Sequence, residues 1–180
     1  EVEVETVWEA LPAPTSSVRG QLSITTTVRN LGTTALEEFE LGDIISWGDL
    51  QHFAPGPGTA LAGIDEELDW VGASNERGAI LVAGFKKITG PHGSSWSDPI
   101  WETASVPPQT EVTFERRILV GEGLGDLVGA ALALQGRKTV TQSLSAVEEQ
   151  TERPIAGVLL SIERADKQGQ YKPAQQTRGD

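Results

Sequence analysis

The sequence contains no cysteine and no methionine among its 180 residues. Without a thiol, the chain cannot form a disulfide framework or a thiolate metal site. Because methionine is absent, Glu1 is not a translation start, and we expect the chain to be a processed product, a fragment or an excised domain. The absence of cysteine does not identify a cellular compartment, since a large β domain needs no disulfides.

Basic residues are also scarce. Lysine and arginine number 14 against 26 aspartates and glutamates, so the net charge is −12. Non-specific binding to nucleic acid is driven by lysine and arginine against phosphate, and binding to an anionic membrane surface has the same requirement. We therefore predict no nucleic-acid partner, and we interpret the acidic charge as a contribution to solubility.

Long apolar runs are missing as well. No run approaches the roughly 18 consecutive apolar residues that a membrane-spanning helix needs. The longest candidate, Leu124–Leu134, is too short and contains Gly125, Asp126 and Gly129. The chain begins with the acidic, alternating stretch EVEVETVWE, which has neither the basic start nor the apolar middle of a signal peptide. We predict no membrane insertion.

Alternation of apolar and polar residues recurs along the chain and predicts β-strands. The predicted strands are 1–6, Leu22–Val28, Leu36–Leu41, Leu68–Gly72, Gly78–Phe85, Thr110–Val120, Thr139–Val147 and Pro154–Arg164. A short helix is a minority interpretation of 35–41. Leucine, valine and alanine at helical spacing predict one helix over Leu124–Leu134, with Gly136 as its stop. Together they predict an all-β fold, an antiparallel β-sandwich with one short helix.

Four burial expectations accompany this fold. The run Ala79–Ala83 is continuously apolar, which is typical of a strand buried on both faces. Trp8 and Phe114 are the large aromatic residues of strand-like segments, and we expect both to be buried. Near the C-terminus, two strands alone bury too little apolar surface to be stable. We therefore expect the apolar residues Ile155, Val158, Leu160 and Ile162 to contact another surface.

Two segments rich in glycine and proline, Trp47–Gly58 and Lys86–Pro108, are predicted to be irregular loops. They contain the candidate ligand-binding residues Trp47, Asp49, His52, Phe53, Trp96 and Trp101. Aromatic rings beside carboxylates suit a saccharide, because rings cover its C–H surfaces and carboxylates accept bonds from its hydroxyls. The alternative, which we favour, is that these rings cap the ends of the sandwich core.

No motif identifies a catalytic or metal site. Asp43, Asp49, Asp65 and Glu66 offer the oxygen ligands that calcium prefers, but the EF-hand spacing is absent. We interpret them as solvated loop carboxylates. The glycine-rich stretch 121–125 precedes the helix without the Lys-Ser/Thr of a phosphate-binding loop, so it predicts a tight turn. We predict no catalytic residues, no cofactor and no metal.

One family resemblance lies in residues 21–43, which read QLSITTTVRNLGTTALEEFELGD. This stretch resembles the strand–turn–strand of galactose-mutarotase-like super-sandwich domains, where L-x-V-x-x-x-V-x-N-x-G is followed by a second strand and G-D. The matching residues are Leu22, Ile24, Val28, Asn30, Gly32, Gly42 and Asp43. The family's enzymes use two histidines with a catalytic carboxylate. This chain has His52 in QHFAPG and His92 in GPHGSS, and neither surrounding sequence resembles the histidine motifs of those enzymes. The resemblance therefore implies the fold more than the activity.

A second resemblance lies in residues 153–180, which read RPIAGVLLSIERADKQGQYKPAQQTRGD. They resemble the opening of a carboxypeptidase regulatory-like module, a small transthyretin-type sandwich with the pattern G-x-P-V-x-G-A-x-V-x-V, a turn and T-D-x-x-G. The matching residues are Pro154, Ile155, Gly157, Val158, Leu160, Ile162, Thr177 and Gly179. Bacterial proteins with such modules in series are typically exported, which implies a periplasmic or extracellular location. Some carry a PHP-type metallohydrolase domain, whose His-x-His motifs this chain lacks.

These observations predict a sandwich over 1–147, a linker over 148–153, and the opening strands of a truncated regulatory-like module over 154–180. The predicted function is a non-catalytic interaction or scaffolding module of an exported bacterial protein. Its predicted partners are other domains of the parent polypeptide and a saccharide. One alternative is a carbohydrate-active enzyme of the mutarotase-like type. Another is a subunit of an extracellular assembly, suggested by the edge-like first strand; the sequence does not predict an oligomeric state.

Overall fold

The computed structural model describes residues 1–64, 66–140, 144–156, 158–165 and 167–178. The strands are β1 (Val2–Leu11), β2 (Val18–Asn30), β3 (Leu36–Gly42), β4 (Ile45–Ser46), β5 (Gln51–Phe53), β6 (Val71–Asn75), β7 (Gly78–Gly84), β8 (Trp96–Ser97), β9 (Ile100–Val106), β10 (Glu111–Gly121), β11 (Leu159–Ala165) and β12 (Tyr171–Arg178). The helix is α1 (Leu124–Leu134). The paired strands in these ranges are antiparallel, which confirms the all-β fold with one short helix.

A six-stranded sheet in the order β1-β2-β10-β7-β6-β5 forms the centre of the protein. Its longest ladder joins β2 to β10, in register from Arg29 opposite Glu111 to Gly20 opposite Val120. Two short two-stranded ribbons, β3 with β9 and β4 with β8, accompany the sheet, and β11 pairs with β12 in a separate hairpin. The β-branched residues of β2 favour such a long strand, because they pack well on a pleated surface.

Strand β7, in the middle of the sheet, is buried on both faces. Alternation in β7 places Leu81 in a core with the helix, on what we call the helix face. The same alternation places Val82 in a second core with Trp47 and Trp101, on what we call the ribbon face. The prediction that Ala79–Ala83 is covered on both sides is therefore confirmed.

Helix α1 covers part of the helix face. The N–H of Gly123 donates to the carboxylate of Asp126 at 3.2 Å, which ties the residue before the helix to its first turn. Leu124, Leu127, Val128, Ala130 and Ala131 are buried against the sheet. The chain leaves the helix through Gly136, whose φ of +69° lies in the left-handed region that favours glycine. The predicted bounds of this helix are confirmed.

The two predicted loops contain strands, so the prediction that they are wholly irregular is wrong. Trp47–Gly58 includes β5, which forms the other edge of the central sheet beside β6. Lys86–Pro108 includes β8 and β9, and β9 pairs with β3. Glycine and proline mark where these strands end, but each strand is too short to show a clear alternation. Their partners, which lie far away in the sequence, are what make them strands.

The predicted strand over Thr139–Val147 is also wrong for its described residues. Residues 139–140 and 144–146 lie outside any strand, and Val147 makes only an isolated bridge to Pro154. Residues 141–143 of this prediction lie outside the described part of the chain. The polar residues that follow form a turn closed by the Glu148 N–H donating to the carbonyl of Arg153 at 2.9 Å.

Two burial expectations are corrected by the layers that cover the sheet. Trp8 is 59% exposed, because β1 is an edge strand that no layer covers. Ile155 is 44% exposed, whereas Val158, Leu160 and Ile162 are half-buried. The β11–β12 hairpin contacts the rest of the protein mainly through β12, which lies against α1.

A hydrogen bond and a close packing contact fix this docking of the hairpin. The carbonyl of Pro173 in β12 accepts a hydrogen bond from the N–H of Gly56 at 2.7 Å. A Cβ atom built on Gly58 would lie only 2.9 Å from the ring of the same proline. The loop after β5 and the second strand of the hairpin are therefore in direct contact.

Phe114 lies on the ribbon face, on the same side of β10 as Arg116, and it provides a test of burial there because it is only 6% exposed. We expect Phe114→Ala to lower the free energy of unfolding by about 3–5 kcal/mol, since it removes a buried ring and leaves a cavity. Urea unfolding measures this loss. The matched control is Trp8→Ala, which removes an exposed ring and should cost less than about 1 kcal/mol. Equal losses in the two variants would contradict the assigned burial.

Candidate functional site

The six residues predicted to bind a saccharide do not form one aromatic groove. Phe53 belongs to the helix-face core, where its ring stacks on Trp70 with 5.8 Å between centroids. Trp47 and Trp101 belong to the ribbon-face core, on the other side of the central sheet. Three of the four predicted aromatic rings are therefore core residues. This is the placement that the core-cap interpretation describes.

Two buried polar side chains of these loops are bonded inside the protein. The indole Nε1 of Trp47 donates to Ser97 Oγ at 2.8 Å, which links β8 to the loop after β4. The imidazole Nε2 of His52 lies 3.2 Å from the carbonyl oxygen of Thr59, so this nitrogen carries the proton that is donated. Both side chains hold their loops in place.

Asp49 and Trp96 are the two predicted site residues that reach solvent. Trp96 is 40% exposed and lies in β8. Its indole packs on Gly93, where an added Cβ would come within 2.0 Å of the indole nitrogen. A saccharide at this end of the protein would therefore meet one accessible ring. The sequence prediction of a multi-ring surface rested on residues that are close in the chain but distributed over two cores.

A polar network centred on Arg116 lies within the ribbon face. Arg116 Nη2 donates to Asp43 Oδ1 at 2.7 Å, and Arg116 Nε contacts the other oxygen of the same carboxylate. Trp101 Nε1 also donates to this carboxylate, at 2.6 Å. Arg116 Nη1 donates to Thr26 Oγ1 at 3.0 Å, and the hydroxyl of Thr26 lies 3.1 Å from that of Thr6. The network connects β1, β2, β10 and β9 with the loop after β3.

The chemistry of this network is structural. Both oxygens of Asp43 accept hydrogen bonds from buried or nearly buried donors, so the carboxylate is occupied as the counter-ion of Arg116. Among the residues that the structure describes, no three histidine or acidic side chains are grouped so that they could hold a metal ion. Of the proposed calcium ligands, Asp49 and Glu66 are exposed, and Asp65 lies outside the described residues.

A second charged cluster fixes the first strand to the sheet. Arg29 donates to Glu3 at 2.6 Å, to Glu5 at 3.1 Å and to Glu111 at 2.8 Å, so one guanidinium bridges β1, β2 and β10. The hydrogen bond to Glu111, followed by those to Glu3 and Glu5, raises the pKa of Arg29 above its usual value. The cluster lies on the face of the sheet that also contains α1, beyond the area that the helix covers.

The backbone of β1 has one paired and one open edge. The carbonyl of Glu1 accepts a hydrogen bond from Leu31 N–H at 2.9 Å. Asn30, opposite Val2, directs its N–H and carbonyl away from β1, to Thr110 and Gln109. In an antiparallel pair, bonded and non-bonded positions alternate. The odd-numbered residues of β1 therefore bond to β2, and the even-numbered residues direct their N–H and C=O groups outward.

The open edge is accompanied by exposed apolar side chains. Val2 is 44% exposed, Val4 is 56% exposed and Trp8 is 59% exposed, and all three are even-numbered residues of β1. Their side chains lie on the ribbon face, beside the buried Ile24 of β2. We call β1 with these side chains the open edge. The sequence predicted the edge strand from its alternating glutamates, but alternation could not show that the apolar side is uncovered.

Comparisons with known proteins give no family for this chain: no protein-family model matches, and neither a curated protein nor a solved structure matches. Separately, the described residues contain no helix of the length and apolar character needed to cross a membrane. The resemblances to mutarotase-like and regulatory-like modules stay predictions.

The Asp43–Arg116 pair gives a prediction about stability. Asp43→Ala leaves the charge of Arg116 buried without its partner, and we expect a loss of about 3 kcal/mol in the free energy of unfolding. Adding Arg116→Met removes the orphaned charge and should recover part of the loss. Urea unfolding of the single and double variants measures both effects.

The matched control for this experiment is Glu102→Ala. Glu102 accepts a hydrogen bond from Lys86, which is largely exposed, so its removal should cost less than about 1 kcal/mol. A loss for Asp43→Ala that is no larger than the loss for Glu102→Ala would show that the buried pair does not stabilise the fold.

Proposed function

We propose that this chain is a non-catalytic interaction module, part of an exported bacterial protein, that binds an extended segment of a partner along the open edge. The observation that carries the proposal is the outward direction of the N–H and C=O groups at even-numbered residues of β1. An extended peptide can continue the sheet there by β-strand addition, in which backbone bonds give affinity and alternate side chains give specificity.

The energetics of such binding favour the ribbon side of the edge. Each backbone hydrogen bond contributes a net of about 1 kcal/mol. Burial of an exposed valine or tryptophan contributes roughly 1.5–3 kcal/mol when it is complete. A partner strand whose apolar residues lie beside Val2, Val4 and Trp8 would gain both contributions. These gains must exceed the cost of ordering the partner peptide.

The charge of β1 selects the kind of partner. Glu1, Glu3, Glu5 and Glu9 share one face of the strand. If two copies of β1 paired about a two-fold axis, side chains on the same face would lie opposite each other. Every register that overlaps most of the strand would then place glutamate against glutamate, which is destabilising. A partner that alternates lysine or arginine with apolar residues would meet complementary charge instead.

The other functions considered for this sequence have less support. The saccharide interpretation has Trp96 as its accessible ring, since Trp47, Phe53 and Trp101 are buried. A mutarotase-like enzyme would need histidines positioned with a carboxylate, and His52 is bonded within its own loop. The interaction module requires only groups that are already exposed.

The test uses a ten-residue peptide that alternates lysine with valine, and isothermal titration calorimetry with the full chain. We expect Val4→Pro to weaken binding by at least about fivefold, because proline removes one outward-facing N–H while the charge stays the same. Val4→Ala is the matched control, because it keeps the N–H and shortens the same side chain.

Three results would overturn the proposal. The first is equal affinity for Val4→Pro and Val4→Ala, which would mean that the backbone edge is not used. The second is equal affinity for a peptide in which glutamate replaces every lysine, which would remove the role of charge. The third is the absence of binding by the lysine–valine peptide at millimolar concentration.

A further inference from the structure

A second surface, separated from β1 by β2 and β10, lies in a pocket of about 450 Å³. The pocket is formed where the chain leaves β7, where α1 ends, and by β11. Four of its lining residues are cations: Lys86, Lys87, Arg137 and Arg164. They come from three separate segments of the chain, so only the fold brings them together.

This concentration of positive charge contrasts with the rest of the protein. The chain has 14 basic residues and a net charge of −12, yet four of those basic residues line one pocket. Among the described residues that line it, Asp69 is the acidic one. Like charges repel, so a pocket of this composition is stabilised when an anion occupies it.

Asp69 holds the end of α1 at the wall of the pocket through two hydrogen bonds. Its carboxylate accepts a hydrogen bond from Arg137 Nη1 at 2.5 Å, and its backbone carbonyl accepts one from Gln135 Nε2 at 2.7 Å. Gln135 also reaches the carbonyl of Gly84, at 3.4 Å. These bonds join the end of α1 to both β7 and the segment before β6. They fix Arg137 in position before any ligand arrives.

The other three cations are available to a ligand. Lys86 and Lys87 contact Glu102 and Glu67, but both lysine side chains are largely exposed, so these pairs are weak. Arg164 makes no ion pair with any residue that the structure describes. An arginine is well suited to an oxyanion, because its planar guanidinium donates two parallel hydrogen bonds.

An aromatic ring completes the pocket. Phe85 is 43% exposed and lines the same space. The guanidinium carbon of Arg117 lies over this ring, 5.5 Å from its centre, and this cation–π contact helps to hold the ring in place. The C–H surface of a sugar ring packs well on such an apolar face. Cations and ring together favour a small anion with a compact carbon skeleton.

We propose that this pocket binds a sugar-sized ring compound that carries an oxyanion group: a phosphate, a sulfate or a carboxylate. Arg164 and the two lysines would bind the oxyanion, and Phe85 would lie against the ring. Arg137 is a positioning residue that Asp69 holds at the pocket wall. None of these residues belongs to β1, so a test of this pocket does not depend on the outcome of the test proposed for the open edge.

The experiment titrates the full chain with four probes: glucose 6-phosphate, glucose 6-sulfate, glucuronate and neutral glucose. Amide chemical shifts in NMR spectra report both the affinity and the place of binding. We expect the anionic probes to shift residues of the pocket and neutral glucose to shift none. The relative affinities of the three anions identify which oxyanion the pocket prefers.

Arg164→Gln is the decisive variant. It removes an exposed cation that has no ion-pair partner among the described residues, so folding should be unaffected, and we expect about tenfold weaker binding of the preferred probe. Arg77→Gln is the matched control with the same change in net charge. Arg77 lies in the turn before β7, at the opposite end of that strand from Phe85, and β7 itself spans roughly 20 Å at about 3.3 Å per residue.

Phe85→Ala separates the ring from the charge. We expect this variant to weaken glucose 6-phosphate and to leave the affinity for inorganic phosphate unchanged. The proposal is overturned if none of the anionic probes binds at millimolar concentration. It is equally overturned if Arg164→Gln and Arg77→Gln reduce affinity by the same factor, because that result would indicate only general attraction to positive charge.

Discussion

Burial of β7 on both faces is the constraint on which the rest of the structure depends. A sheet covered on two sides needs two layers, and this chain supplies them unequally. Helix α1 and the β11–β12 hairpin lie on one side, and the short ribbons with their tryptophans lie on the other. Neither layer extends as far as β1, the outermost strand. The exposed side chains of Val2, Val4 and Trp8 follow from the width of the sheet relative to its covering layers.

The ion pair between the buried Arg116 and the half-buried Asp43 joins the covering ribbon to the sheet. The loop after β3 and strand β9 meet the sheet at Arg116, where Asp43 and Trp101 contact the same cation network. A buried pair is not in itself a strong source of stability, because desolvation of the charges offsets their attraction. The pair does disfavour any other placement of the β3–β9 ribbon on the sheet, because a shifted ribbon would leave the charge of Arg116 without its partner Asp43. We therefore interpret the network as a device that fixes the position of the ribbon on the sheet.

The elements that the sequence predicted well are those whose pattern is local. Helical spacing of leucines gave α1 with its correct ends, and alternation around Ile24 gave β2. Strand β9 was not predicted, because it is a strand through its pairing with β3, which lies about 60 residues earlier in the sequence. Alternation also shows that a strand has two faces without showing which layers cover them, and Trp8 is the clearest example. The predicted aromatic groove does not form for the same reason: Phe53 belongs to the helix-face core and Trp101 to the ribbon-face core.

Strand addition at β1 requires backbone groups that point away from β2, and amide hydrogen exchange measures their direction. In the free protein, the amides of Val4, Thr6 and Trp8 should exchange rapidly, because they point away from β2 into solvent. The amides of Glu5 and Val7 lie between them in the sequence and should be protected by their bonds to β2. An alternating pattern of fast and slow exchange is therefore the predicted result. Uniform protection along β1, or protection of the even-numbered amides only, would contradict the open edge.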